Sequence, residues 1–161
     1  LITGTGFMAI LFALVLYEKN MSIDLFGTNR KKNELIERNL PNFSLLKNVN
    51  EFKEYDLVIE TTGKKDVLEN VVKFMKPKSQ LLCFSNFKED INITALREDE
   101  ISILFSKHTT KDDIYESIYW VQKNNKVINS LITTFYSLDS LEEIINQTLT
   151  NKIIRGVIKL E

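Results

Sequence analysis

The stretch Gly4-Thr5-Gly6-Phe7-Met8-Ala9 narrows the folds open to this chain more than any other. Apolar Leu1-Ile2 precedes it, a strongly apolar run through Tyr17 follows, and Met21 to Phe26 then leads to Gly27. The order reads as strand, glycine turn, helix, strand. That context gives a G-x-G-x-x-A spacing its meaning as the opening of a βαβ unit. Gly4 lets the chain leave the strand in a tight turn. Gly6 lacks a Cβ, so a ligand can approach the backbone. Ala9 is small enough to keep helix and strand close. A helix beginning near Phe7 directs N–H groups and roughly half a positive charge at an anion. The pattern implies a seat for the diphosphate of a dinucleotide.

Apolar runs and helical patterns alternate along the rest of the chain, as in a parallel α/β sheet. Arg30 to Asn39 reads as a helix stopped by Pro41. Phe43–Leu46, Asp56–Glu60, Gln80–Phe84 and Ile101–Ser106 read as strands three to six. Lys65 to Met75 reads as a helix with Val67, Val71, Val72 and Met75 on one face, closed by Pro77. Thr110 is placed to cap a helix with an acidic first turn, whose buried stripe is expected to be Ile114, Ile118 and Val121. Ser130 to Phe135 reads as extended, and Lys152 to Leu160 as a final strand. Between them Leu138 to Leu149 reads as a helix buried through Leu141, Ile144, Ile145 and Leu149. The expected architecture is a doubly wound parallel six-stranded sheet in three αβα layers, one domain over residues 1–161.

Charge excludes some functions. The formal net charge is −1, which gives no broad attraction to nucleic acid or an anionic membrane. The apolar run Phe7–Tyr17 falls short of the ~20 residues that span a bilayer. A helix so apolar is expected to be buried on both sides. The chain has one cysteine and one histidine, too few for a protein-only zinc site of the usual kind. Cysteine this scarce suits a reducing cytoplasm. Cys83, inside an apolar strand, reads as a buried inert thiol, and His108 as a surface residue.

The tip of the second strand speaks to cofactor choice. An acidic residue about twenty positions after the first glycine would bind the ribose hydroxyls of NAD. Here that place holds Gly27, followed by Thr28-Asn29-Arg30-Lys31. A glycine is expected to leave room for a 2′-phosphate, Thr28 and Asn29 can hydrogen-bond to it, and Arg30 can pair with it. NADP(H) is therefore expected over NAD(H). Asp24 is the competing acid, but it lies inside the strand.

Several stretches resemble the nucleotide-binding domain of the medium-chain dehydrogenase/reductase superfamily, nearest the zinc-type polyol, sugar and alcohol dehydrogenases. Tyr55-Asp56-Leu57-Val58-Ile59-Glu60-Thr61-Thr62-Gly63 is similar to that family's fourth strand and following turn. Leu82-Cys83-Phe84-Ser85 resembles the fifth, with Ser85 where a glycine is usual. Ile103-Leu104-Phe105-Ser106 resembles the strand before the dimer-forming region. Asn151-Lys152-Ile153-Ile154-Arg155 resembles a closing strand whose arginine meets the pyrophosphate.

The resemblance implies a Rossmann fold and cofactor contacts from Gly4, Thr5, Gly6, Phe7, Met8, Thr61, Thr62, Gly63, Phe84, Ser85, Phe105, Ser106 and Arg155. It implies a homodimer or homotetramer built through the sixth strand, and a small-molecule alcohol or carbonyl substrate. The family's zinc ligands and substrate pocket sit mainly in a preceding catalytic domain, and no residue here matches them. Without that resemblance, a nucleotide-sensing module of a transport or signalling protein would share the same βαβ opening.

Overall fold

The computed structural model describes residues 1–40, 42–92, 94–150 and 152–160. In chain order the elements are β1 (Ile2–Thr3), α1 (Phe7–Glu18), β2 (Asp24–Phe26), α2 (Arg30–Asn39), β3 (Ser44–Leu46), β4 (Tyr55–Glu60), α3 (Lys65–Val71), β5 (Met75–Cys83), α4 (Thr94–Glu98), β6 (Ser102–Phe105), α5 (Lys111–Lys123), α6 (Asn125–Leu131), β7 (Ile132–Tyr136), α7 (Leu141–Leu149) and β8 (Arg155–Ile158). Two compact units result. The first comprises Leu1–Thr28 and Asn42–Lys107, the second Asn29–Pro41 and His108–Glu161.

The first unit holds the expected parallel six-stranded sheet, in the order β3-β2-β1-β4-β5-β6. Strands β1 and β2 and the second half of β4 are short runs with little alternation, because side chains on both faces are covered. Ile2, Leu25, Val58, Ile59 and Leu81 are all essentially sealed from solvent. Burial of this kind contributes about 1.5–3 kcal/mol per side chain. Leu68 and Val71 of α3 join Val58, Leu81 and Met75 in one apolar cluster. Phe52 anchors its rim, edge-on to Phe26 at 4.8 Å and to Phe74 at 5.2 Å. Helix α1 buries Ala9, Ile10 and Ala13, while Met8 and Tyr17 are exposed. Leu11, Phe12, Leu14, Val15 and Leu16 are half-buried, so the helix is sealed along one face and partly covered along the other, where its composition suggests burial on both sides.

Pro77 does not close a helix. Helix α3 ends at Val71, one 3₁₀ turn spans Val72–Phe74, and Pro77 lies inside β5. The ladder breaks there: β4 advances from Tyr55 to Leu57 while β5 advances from Met75 to Gln80. A proline has no N–H to give a ladder, so an irregularity is where a strand tolerates one. Lys78, at φ +65°, completes the bulge and donates its N–H to the Asp99 carbonyl.

In the second unit β7 and β8 form a separate two-stranded parallel sheet, from Ile132 opposite Arg155 to Tyr136 opposite Ile158. The stretch read as extended from Ser130 is helical through Leu131, and the final strand is confined to Arg155–Ile158. Two expected core stripes are surface. Ile114, Ile118 and Val121 of α5 are exposed, as are Leu141, Ile145 and Leu149 of α7; only Ile144 of that set is buried. Periodicity marks an apolar face, but does not say that this chain supplies the layer to cover it. Thr110 does cap α5, accepting from the Asp113 N–H while the Asp113 carboxylate accepts from the Thr110 N–H. Pro41, assigned as a helix stop, and Asn151 lie outside the described residues.

Candidate cofactor site

In this strand order β1 and β4 are neighbours, although the chain winds outward from them in opposite directions. The crevice at the carboxyl ends of two such strands is where open α/β sheets bind ligands. Four of the chain's five glycines follow strands at that edge: Gly4 and Gly6 after β1, Gly27 after β2, and Gly63 after β4.

The β1 turn has the geometry its residues imply. Gly4 sits at φ +104°, where a Cβ would meet the Thr61 hydroxyl at 2.6 Å. Its N–H donates to the Phe26 carbonyl at 2.7 Å, drawing the turn against the tip of β2. Gly6 then starts α1, and no side chain caps that helix. A Cβ on Gly6 would meet nothing within 4 Å. The glycine is therefore not demanded by the protein's own packing, and the space beside it is open at the positive end of a twelve-residue helix. A dinucleotide diphosphate fits that chemistry.

Gly27 is glycine for a different reason. Its Cβ would stand 2.3 Å from Thr5 Cγ2 and 2.6 Å from Thr5 Oγ1. Thr5 is buried there, so the missing side chain makes room for Thr5 and not for a phosphate. Gly27 keeps a sheet bond, donating to the Leu46 carbonyl. Thr28, which follows, is exposed.

Around β4 the sequence conceals a buried carboxylate. Glu60, at the end of the apolar run Leu57-Val58-Ile59, is fully buried. Oε1 accepts from the backbone N–H groups of Thr62 and Gly63 and from the Thr62 hydroxyl, and Oε2 also accepts from Gly63 N–H. Glu60 thereby folds Thr61-Thr62-Gly63 over the strand end. The Thr61 hydroxyl in turn donates to the Thr3 carbonyl at 2.6 Å, tying this turn to β1. Gly63 is at φ +67°, with its Cβ position 2.7 Å from the Asn86 carbonyl. The available signal was a charged residue closing an apolar strand just before a Thr-Thr-Gly turn.

The remaining first-unit candidates follow β5 and β6. Phe84 packs edge-on against Phe12 of α1, ring centroids 5.3 Å apart, and its N–H donates to the Glu60 carbonyl. Ser85 is half-buried, whereas Phe105, the last residue of β6, and Ser106 just after it are exposed. Cys83 is buried beneath this edge. Burial, with the Glu60 carboxylate adding, pushes its thiol up to about 11, so it is protonated and inert at neutral pH. Phe7 and Met8 open α1.

Asp24 does not compete for a ribose. It is the first residue of β2, at the opposite edge of the sheet, buried and accepting from the Tyr55 hydroxyl at 3.0 Å, with Lys53 3.6 Å away. A pocket lies beside it, lined by Leu1, Lys53 and Tyr55 among others. That pocket lies away from the glycine turns, and the Asp24 carboxylate in it is already partnered.

The other candidates belong to the second unit. Asn29 caps α2, its Oδ1 accepting from the Lys32 N–H at 3.0 Å. Arg30 is almost fully exposed and pairs with Glu34, one helical turn on, at 2.9 Å. Lys31 is exposed. Arg155 opens β8, also exposed, and the following Gly156 lets Ile144 of α7 approach, since its Cβ would stand 2.6 Å from Ile144 Cγ2. Surface His108 matches expectation. Among the described residues no helix is long and apolar enough to cross a membrane, and no group of three or more His, Cys, Asp or Glu side chains is placed to hold a metal ion.

No protein-family model matches the chain, and no curated protein matches its sequence. Solved structures do match. 2R,3R-butanediol dehydrogenase from Bacillus subtilis superposes with a TM-score of 0.82 at 16% identity, over 99% of this chain and 50% of that one. S. aureus TarJ in complex with NADPH gives 0.79 at 14%, over 98% and 54%. Acetophenone reductase from Geotrichum candidum, in complex with NAD, gives 0.78 at 17%, over 98% and 47%. The chain spans about half the length of these proteins. The neighbours also include an alcohol dehydrogenase from Thermotoga maritima and L-idonate 5-dehydrogenase from Escherichia coli, and the chain shares with them the Rossmann-like α/β fold, a parallel six-stranded sheet flanked by helices.

Proposed function

We propose that this chain is the NADP(H)-binding part of a medium-chain alcohol, polyol, sugar or sugar-phosphate dehydrogenase. The observation that carries the reading is the β1 turn: Gly4 in the left-handed region and Gly6 bordering open space at the start of α1. Structural neighbours in complex with NADPH and with NAD support a nicotinamide dinucleotide at such a turn. When bound, the cofactor supplies or accepts the hydride. The residues here bind and orient it. Backbone N–H groups at Gly6, Phe7 and Met8 would receive the diphosphate, with Thr5 shaping the turn beneath them. Thr61, Thr62, Gly63, Phe84 and Ser85 would border the nicotinamide half, and Phe105 and Ser106 would complete this unit's contacts.

The preference for NADP(H) rests on the β2 tip, which carries no acid at Gly27 and is followed by Thr28, Asn29, Arg30 and Lys31. Arg30 would exchange its exposed pairing with Glu34 for the 2′-phosphate, a stronger charge-assisted bond. Titrating the chain with NADPH and NADH tests both levels. Binding of neither refutes the dinucleotide reading. In Arg30→Ala the NADPH affinity is expected to fall about tenfold with NADH unchanged; an unaltered ratio removes Arg30 from the site.

Catalysis of the carbon chemistry, and any zinc, would belong to a part of the protein outside these 161 residues. Copies would pair through β6, a terminal strand of the sheet whose Leu104 and Phe105 are exposed. Sedimentation of a strict monomer would count against that pairing. The single buried thiol is compatible with a reducing cytoplasm.

A further inference from the structure

We infer that Thr5 is a specificity-determining residue, excluding a carboxylate from the tip of β2 and so closing the chain to NAD-type recognition of the adenosine ribose. The inference rests on the dinucleotide reading above and adds the residue that enforces its preference.

The geometry is local to the first unit. The Gly4 N–H to Phe26 carbonyl bond brings the β1 turn onto the end of β2. Thr5, the middle residue of that turn, then lies against Gly27, with its three side-chain heavy atoms nearest the position of a Cβ there: Cγ2 at 2.3 Å, Oγ1 at 2.6 Å, Cβ at 3.0 Å. Rotation does not relieve this. The two γ atoms flank the Gly27 Cβ position. Turning χ1 to another staggered well replaces one of them by hydrogen but brings the other into the gap. Thr5 is 5% exposed, and a β-branched side chain is stiff at χ1, so it cannot swing out to solvent.

Position 27 is the place from which an acid would accept hydrogen bonds from the 2′- and 3′-hydroxyls. A carboxylate there would also repel a 2′-phosphate. With Thr5 in place no side chain of any kind fits at 27, so the absence of that acid is a consequence of packing between two turns. Cofactor choice is then encoded by a pair of residues 22 positions apart, and changing one member alone is expected to cost stability without changing preference.

The experiment is a double-mutant cycle on the full chain, reading thermal midpoint and the dissociation constants of NADPH and NADH by nicotinamide fluorescence. Gly27→Ala, which adds only the colliding Cβ, is expected to lower the midpoint by roughly 5 °C, and Thr5→Gly is expected to recover most of that loss in Thr5→Gly/Gly27→Ala. Gly27→Asp alone is expected to be destabilised with no gain in NADH affinity. Thr5→Gly/Gly27→Asp is expected to shift the NADPH-to-NADH affinity ratio toward NADH by tenfold or more, the scale of one hydrogen bond to a charged group.

Two results overturn the proposal: Gly27→Asp as stable as wild type and already NADH-preferring, or additive midpoints in the alanine cycle. The alanine cycle decides the packing claim even if the aspartate variants do not fold. A Thr5→Gly/Gly27→Asp variant that folds and keeps the wild-type ratio also overturns it. Wild type that binds neither nucleotide sinks the dinucleotide reading instead, and is told apart because the alanine cycle still shows coupling.

Discussion

Replacing Glu60 tests how the β4 turn is built. The carboxylate is fully buried and accepts from two backbone N–H groups and the Thr62 hydroxyl, with the Thr3 hydroxyl 3.5 Å away. Glu60→Gln keeps the shape and one acceptor oxygen but loses the charge. Hydrogen bonds to a charged acceptor contribute about 1.5–3 kcal/mol, against about 0.5–1.5 for neutral ones. Weakening the two backbone bonds by about 1 kcal/mol each gives a loss of about 2 kcal/mol. For a domain of this size that corresponds to roughly 4–8 °C in the thermal midpoint. Glu60→Leu removes every acceptor and leaves the Thr62 and Gly63 N–H groups without partners, so its loss should be larger. Urea unfolding followed by far-ultraviolet circular dichroism measures both, and amide exchange at Thr62 and Gly63 reports the turn itself. A Glu60→Gln variant within about 0.5 kcal/mol of wild type, or a Glu60→Leu variant no worse than it, would refute the reasoning.

Stability should also respond to alkaline pH through Cys83. Its thiol is raised from an ordinary value of 9.0 to about 11 by burial and then by Glu60. The unfolded chain releases that proton first, so the thiol's contribution is fully present below pH 9 and is lost as pH rises from about 9 to 11. Chemical denaturation at several pH values should show wild type losing more stability over that window than Cys83→Ala; parallel curves would contradict the assignment. The exposed face of α5 makes a contrasting case. Ile118→Ala, at a side chain 49% exposed, should cost less than about 1 kcal/mol, whereas Leu131→Ala at a fully buried one should cost about 2–5 kcal/mol. Denaturant midpoints for the pair decide this, and equal losses would mean that α5 is covered in solution.

The strand-turn-helix-strand opening, the six-stranded parallel sheet and the glycines at its carboxyl edge were all legible in the sequence. Each follows from local rules: a positive φ at Gly4, apolar runs long enough for a strand, a cap at Thr110. The role of Gly27 was not legible. Along the chain it looks like a space left for a ligand, and only the fold shows that Thr5, 22 residues away, occupies that space. Glu60 was hidden for a related reason, because its partners are backbone groups brought round by the turn it stabilises. Pro77 looked like a helix stop, since the bulge that admits it exists only between paired strands. The faces of α5 and α7 looked like core, since hydrophobic period records a preference for burial but not the presence of a covering layer. Sequence thus determined most of the elements and the glycine turn after β1, through interactions a few residues long. Tertiary structure decided which glycine borders open space and which faces a threonine, because that depends on which turns the sheet brings together.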